Sequence, residues 1–289
     1  MTWSGRARGY NAEVLVGMNT VCLTFDFDAL SVWLGGYENV TPSMLSRGEF
    51  GARVGMPRIL DLLAAYDLPA TFFVPGHTAD SFPETVQAII AAGHEVAHHG
   101  YGHEDPSTQI EEEEHASLHR GLEALARLTG TRPIGYRSPS WDYSPSTLRL
   151  LVEHGFLYDS SLMADDFRPY HPRLGDRVSK DEPLQRGQEA PIWEFPVYWA
   201  LDDWPHFAFN FDPLRVGLSA PSKVLEIWQA ELDYMRGKVP GGVLTVTMHP
   251  QIIGRAHRLA MLERFIQYAL ACGDVQFRRM GDVARELGG

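Results

Sequence analysis

Four short segments hold the residue types whose spacing could support hydrolytic chemistry. The first is Thr24-Phe25-Asp26-Phe27-Asp28-Ala29. It ends an apolar run with strand character, and alternate side chains of a strand share a face, so Asp26 and Asp28 project together. Two carboxylates that close repel unless a cation sits nearby or one carries a proton. A single aspartate there would be read as a turn or helix cap; the Asp-x-Asp pair points to function. The second segment, His94 to His103, holds His94, His98, His99 and His103, against 12 histidines in 289 residues. His99 and His103 are four apart, so one turn of chain can bring both rings to a common point. Imidazole is the commonest protein ligand for zinc-like ions. With Asp28 they make an Asp-His-His set, and three protein ligands with open positions is the pattern of a catalytic rather than a structural metal. His94 and His98 are read as packing or supporting residues.

The third segment is Gly135-Tyr136-Arg137-Ser138-Pro139-Ser140-Trp141. Arg137 can hold a carboxylate through a charge-assisted, two-pronged pair. Trp141 offers a flat apolar wall, and core packing is an equal reading of it. The fourth, Leu244-Thr245-Val246-Thr247-Met248-His249-Pro250, ends an apolar strand on a histidine, where a general acid could stand. No HExxH pair is present, which excludes the helical zinc-protease arrangement. No GxSxG elbow is present either, which weakens a serine-hydrolase reading.

These segments need a scaffold that gathers strand ends. Strands are expected at Val21–Phe25, Ala70–Val74, Glu95–His98, Ile134–Arg137, Phe156–Asp159, Ile192–Val197, Val243–Met248 and Val275–Phe277. They are rich in Val, Ile, Phe and Thr and bounded by Gly, Pro, Asp or Ser. Helical periodicity marks Val54–Tyr66, Glu84–Ala92, Glu111–Leu128, Ser146–His154, Ser222–Met235 and Ala256–Ala271. The acidic run Glu111–Glu114 falls in a helix's first turn, where negative charge suits the macrodipole, and is read as a solvated helix start. Alternating strands and helices imply a parallel sheet with helices outside, and this count suggests an α/β fold: a distorted (β/α) barrel of seven or eight strands. In such folds chemistry collects where strands end. One domain over 1–289, with an N-terminal arm over about 1–18, is the expected organisation. Ala29–Gly51 and Met163–Pro191 are expected to be long loops on the active face, as lids or oligomer contacts.

Composition narrows the partners. The net charge of −12 disfavours phosphate backbones and anionic membranes, so neither nucleic acid nor membrane is an expected partner. No apolar run reaches the ~18–20 residues of a membrane helix, and no apolar stretch follows the charges of Met1–Arg8. A cytoplasmic enzyme is the expectation. Cys22 and Cys272 are read as buried free thiols. Trp3 and Tyr10, with exposed-looking Trp199, Trp204 and Phe207, could form a lid or the interface of a homo-oligomer.

The ordered set TFDFD, HGYGH, RSPSW and TMHP resembles the polysaccharide deacetylase (NodB-homology, carbohydrate esterase 4-like) superfamily over roughly Val21 to Phe277. That resemblance implies a metal-dependent amide hydrolase on a distorted barrel. By match, Asp26 falls on the catalytic base, Asp28, His99 and His103 on the metal ligands, Arg137 on the residue that orients the base, and His249 on the proton donor. Asp159 falls on the carboxylate that tunes that histidine and is grouped with Trp141 among the substrate-side residues. The common motifs have adjacent aspartates followed by Gly, and Ser or Thr after the first ligand histidine. Here Phe27 intervenes, Ala29 follows, and Gly100 succeeds His99. These variants resemble the branch of allantoinase-like and cyclic-imide hydrolases and intracellular peptidoglycan-deacetylase-like proteins. The implied activity is hydrolysis of a non-peptide C–N bond, either removal of N-acetyl groups from a sugar or opening of a cyclic imide or ureide. One divalent ion is implied, zinc first, with Co, Ni, Mn or Fe(II) also suited to two imidazoles and a carboxylate.

Overall fold

The computed structural model describes residues 18–211 and 214–288. The N-terminal arm, with Trp3 and Tyr10, lies outside the described residues. Every expected strand forms: β1 (Asn19–Asp26), β2 (Thr71–Val74), β3 (Glu95–His98), β4 (Gly135–Tyr136), β5 (Tyr158–Asp159), β6 (Trp193–Glu194), β7 (Val243–Met248) and β8 (Val275–Phe277). They join in one parallel sheet of eight strands, in the order β7-β1-β2-β3-β4-β5-β6, with β8 also beside β1. β1 is the centre. It pairs β7 from Thr20–Val243 to Phe25–Met248, β8 at its start and β2 at its end. Its residues are buried throughout, as expected of a parallel strand covered on both faces.

The sheet curls into a distorted barrel with helices outside. Outward-facing Val21, Leu23 and Phe25 join one large core with helices Met56–Ala65, Pro221–Lys238 and Ala256–Ala271. Inward-facing Cys22, Phe73, Ala97 and Val243 pack on Met280, Val283 and Ala284 of the C-terminal helix Met280–Glu286, which plugs the end where the strands begin. Both ring stacking and burial lock the β1–β2 pair, with Phe25 and Phe72 centroids 5.0 Å apart.

The barrel does not close by strand pairing between β6 and β7 among the described residues. The free edge of β7 instead takes a single bridge from Asp202 to Thr247. This bridge sets Asp202 and Asp203 beside the end of β7, which matters for the site.

The expected loop Ala29–Gly51 is largely helical: Ser31–Gly36 and Pro42–Phe50 form helices, and a π-helical stretch Gly51–Gly55 runs on into Met56–Ala65. Met163–Pro191 stays irregular apart from a small antiparallel pair at Arg173–Leu174 and Gln188–Glu189. A second antiparallel hairpin, Phe209–Phe211 with Leu214–Val216, stands beside the barrel mouth. Of the aromatics expected at the surface, Trp199 is exposed, Phe207 is buried and Trp204 is partly buried in the core. Glu114 likewise departs from a solvated helix start: it is buried and accepts hydrogen bonds from Ser144 and Thr147 hydroxyls. No described helix is long and apolar enough to cross a membrane.

Candidate active site

Strand parity brings the distant motifs together. The interior face carries Thr24 and Asp26 on β1, then His99, Arg137, Ser160 and His249 just past the ends of β3, β4, β5 and β7. His98 points outward and bonds the Leu118 carbonyl of helix Glu111–Thr129 at 3.0 Å, so it is a packing residue, as expected.

Asp28, His99 and His103 each offer one ligand atom, all within 4.8 Å of one another. Asp28 Oδ1 lies 3.5 Å from His99 Nε2 and 3.9 Å from His103 Nε2. Metal bonds of about 2.0–2.2 Å at tetrahedral angles would put ligand atoms roughly 3.3–3.6 Å apart, close to these separations. Four further observations fit a cation. Asp28 Oδ1 is buried without a hydrogen-bond partner, a state that costs free energy unless something positive faces it. Burial pushes the Asp28 carboxyl up to about 8, the Asp26 charge adding to this against the pull of His249. His99 Nδ1 sits 2.7 Å from the Arg137 carbonyl oxygen, so Nδ1–H donates there and Nε2 keeps its lone pair for a ligand. Burial also lowers both imidazoles, His103 to about 3, so they are neutral donors.

The loop that presents His103 is tightly held. Gly76 and His77 backbone N–H groups donate to the Gly100 and Tyr101 carbonyls at 3.0 and 2.8 Å. Gly100 has φ +70°, as the glycine suggested; His103 itself has φ 65°, a conformation costly for a non-glycine residue. Behind it, a Cβ on Gly35 would collide with the carbonyls of Gly102 and His103.

Beside the trio stands Asp26, held by Arg137. Arg137 is wholly buried and donates to Asp26 Oδ1 at 2.7 Å, Thr24 Oγ1 at 2.9 Å, Ser160 O at 3.0 Å and Ser160 Oγ at 2.9 Å. Its guanidinium lies 4.1 Å above the Phe73 ring. Burial alone would raise the Asp26 carboxyl; Arg137, with His99 and His249, outweighs burial and holds it below the ordinary carboxylate range. Asp26 is therefore an anion with one oxygen fixed and the other, Oδ2, facing His99 and His249, each Nε2 at 3.9 Å.

His249 approaches from the opposite side. Its Nδ1 lies 2.7 Å from Asp203 Oδ1, and its backbone N–H donates to Asp203 Oδ2 at 3.0 Å. Asp202 Oδ1 is 3.5 Å from the same Nδ1 and caps helix Asp203–Phe207 through the Trp204 N–H. Burial would lower His249, but Asp202 and Asp203 overcome it and raise the ring to about 10. Its Nε2 points at the Asp26–Asp28 pair, 3.9 Å from an oxygen of each. Asp202, Asp203 and His249 also lie close enough to suggest a second metal cluster. Their groups already satisfy one another, so an ion pair accounts for them.

Asp159 is the residue the sequence misplaces. It is buried on the outward parity of β5, where it bonds Tyr143 Oη at 2.5 Å and Ser161 Oγ at 2.8 Å. It contacts neither His249 nor the open cavity. The carboxylate beside His249 is Asp203, delivered by the bridge on β7's free edge. The Asp202-Asp203 pair was visible in the sequence, but not at a strand end.

A cavity of about 660 Å³ opens over Asp26, His99, His103 and His249. Trp141, Trp199 and Trp204 line it. Trp141 and Trp199 ring centroids are 4.5 Å apart, and Trp204 meets His249 edge-on at 5.0 Å. Ser140 and Trp141 take φ of 62° and 53°, strain that turns the indole over the mouth.

Residues 16–158 match the family model described as polysaccharide deacetylase. A peptidoglycan deacetylase of Helicobacter pylori is 39% identical over 274 residues, 91% of this chain and 94% of that protein. A Mycobacterium smegmatis structure of the polysaccharide deacetylase type is 40% identical and superposes with a TM-score of 0.82 over 94% of this chain and 90% of the other. An allantoinase structure is 27% identical, with a TM-score of 0.76 over 96% of this chain and 91% of its own. With 39% identity sustained over nine-tenths of both sequences, this protein belongs to the polysaccharide deacetylase family.

Proposed function

We propose that this protein is a metal-dependent hydrolase of a non-peptide C–N bond and that it removes acetyl groups from an N-acetylated sugar. The observation that carries the reading is one buried constellation with three separate capacities: an unpartnered Asp28 oxygen between two neutral imidazoles, an anionic base fixed by Arg137, and a charged acid held by Asp203. The likeness to a peptidoglycan deacetylase supports the sugar substrate.

Asp28, His99 and His103 would hold the ion, zinc first by the donor set. When bound, a divalent ion supplies Lewis acidity to a carbonyl and lowers the pKa of water from 15.7 towards ~7. Asp26 accepts the proton of the attacking water, and Arg137 keeps its carboxylate oriented and ionised. His249 passes its Nε2 proton to the departing nitrogen, a step an amide needs because its anion is a very poor leaving group. Asp203 keeps the His249 ring oriented and charged until that transfer. Trp141 and Trp199 exclude water and offer faces on which a sugar ring can stack.

A second reading, opening of a cyclic ureide or imide, is favoured by the allantoinase likeness along nearly the whole chain. The metal-loaded protein should release acetate from N-acetylglucosamine oligomers and leave hydantoin- and succinimide-type rings intact. Ring opening alone would overturn the sugar reading. No hydrolysis of either class by protein carrying its metal would overturn both.

A further inference from the structure

We propose that a second cavity, beside the candidate active site and ringed by Arg47, Arg255 and Arg258, binds a small-molecule oxyanion, a carboxylate or a phosphate. The cavity measures about 940 Å³ and shares Gly36 and Tyr37 with the first, so the two adjoin. Asn210 and Gln251 also line it.

The arginines are placed as cations awaiting an anion. Among the described residues their bonded partners are neutral. Arg47 donates to Asn210 Oδ1 at 3.0 Å. Arg258 donates to the carbonyls of Ile252 and Phe207 at 3.2 and 3.1 Å. Arg255 lies over the Phe50 ring at 3.5 Å. Arg47 is drawn down first by burial and then, against the pull of Tyr37, by Arg255. Arg258 is drawn down by burial and, against the pull of Asp203, by Arg255 and Arg47. Like charges held this close in a chain of net charge −12 carry a cost that a bound anion would remove. Glu38, the acidic side chain on the lining, is exposed at the rim.

Independent of charge, the cavity wall holds buried polar atoms without partners. Asn210 is 6% exposed; its Oδ1 accepts from Arg47, and its Nδ2 donor has no partner. Arg258 Nε is likewise buried and unpartnered. Buried donors are ordinarily satisfied; these two lie just behind the surface on which the guanidinium groups converge, and add to the unneutralised donor character of that wall. Guanidinium forks match carboxylate and phosphate oxygens two at a time. Gln251 stands between the sites: its Nε2 donates to Asp28 Oδ2 at 3.3 Å while its side chain lines the second cavity. An anionic arm of a substrate and a separate anionic ligand would present the same chemistry here.

Calorimetric titration of the full-length, metal-loaded protein with inorganic phosphate and with succinate, at constant ionic strength set by chloride, tests this without turnover. Saturable binding is expected, weakened about tenfold or more by Arg255→Gln, since a charge-assisted hydrogen bond is worth that factor. Arg47→Gln with Arg255→Gln should weaken it further, and Arg255→Lys, which keeps the charge but loses the fork, should fall between Arg255→Gln and the native chain. Arg255 is exposed, so the single variant should fold, as circular dichroism will show. Binding of phosphate alone would assign a phosphoryl ligand, and binding of succinate alone a carboxylate. Asp28→Asn, which disables the candidate metal site, should leave anion binding in place. Failure of both anions to saturate would overturn the proposal. So would equal affinity in the arginine variants, or binding lost in Asp28→Asn but kept in them. None of these outcomes depends on the hydrolytic reading.

Discussion

Replacing Asp203 with Asn tests the proton-donor half of the site and keeps its shape. Asp203 contacts His249 twice, at Nδ1 and at the backbone N–H. The amide oxygen can accept from only one of these two donors, its NH2 cannot accept from the other, and the charge is gone. The folded protein raises His249 to about 10, above its ordinary 6.5, through Asp202 and Asp203 against burial. A raised histidine is charged below that pH and loses its proton as pH climbs through it. An opposite charge at this range moves a pKa by about 1–3, so the alkaline limb of kcat should fall by about 1–3 pH units. Asp202 at 3.5 Å remains and limits the fall. Comparison of two proteins loaded with the same metal cancels the field of the ion. At a pH between the two limbs, amide hydrolysis should drop by up to the ~10²–10⁴ that a positioned general acid contributes. An activated acetyl ester, whose phenolate leaves without a proton, should lose far less. The assay is a pH–rate profile on both substrates, with metal content checked alongside. Equal loss on ester and amide, or an unmoved alkaline limb, would refute the assignment.

Three other perturbations probe the remaining parts. Arg137→Met removes a buried guanidinium and strands Asp26; urea unfolding should show a loss of about 3–5 kcal/mol, and the acid limb of kcat/KM should move up as the Asp26 carboxyl rises. Gly35→Ala alters no ligand, but its Cβ meets the Gly102 and His103 carbonyls; metal affinity by competitive chelation should fall on the order of 10–100-fold, as for other supporting changes. In chelator-treated protein, Asp28 raised to about 8 binds its proton more tightly folded than unfolded. Folding stability is then greatest below the ordinary carboxylate pKa and declines as pH rises from about 4 towards 8. Thermal unfolding between pH 5 and 8 should show that slope, Asp28→Asn should flatten it, and added metal should restore stability to the native chain.

Much of the fold was legible because strand signals and burial coincide here. β3, β7 and β8 fall on the expected residues, and the others differ by a few at their ends. What escaped were elements whose local chemistry hides their periodicity. Gly35, Gly36, Pro42 and Gly48 break the pattern of Ala29–Gly51, yet tertiary packing against the barrel mouth makes it helical. The site was legible where residues follow strand parity, as with Asp26, His99, Arg137 and His249. Asp159 sits one residue out of phase, and a one-residue change of phase turns a side chain to the other face. Asp203 depends on a lone bridge along β7, a tertiary contact for which no periodic pattern exists.

The proposed hydrolysis needs one divalent ion among Asp28, His99 and His103. Elemental analysis of dialysed protein, paired with activity on an N-acetylated sugar, tests it most directly. One ion per native chain is expected, with little or none in Asp28→Asn and in His99→Ala, and activity should disappear with chelation and return with reloading. Full activity in chelated protein, or native metal content in Asp28→Asn, would contradict it.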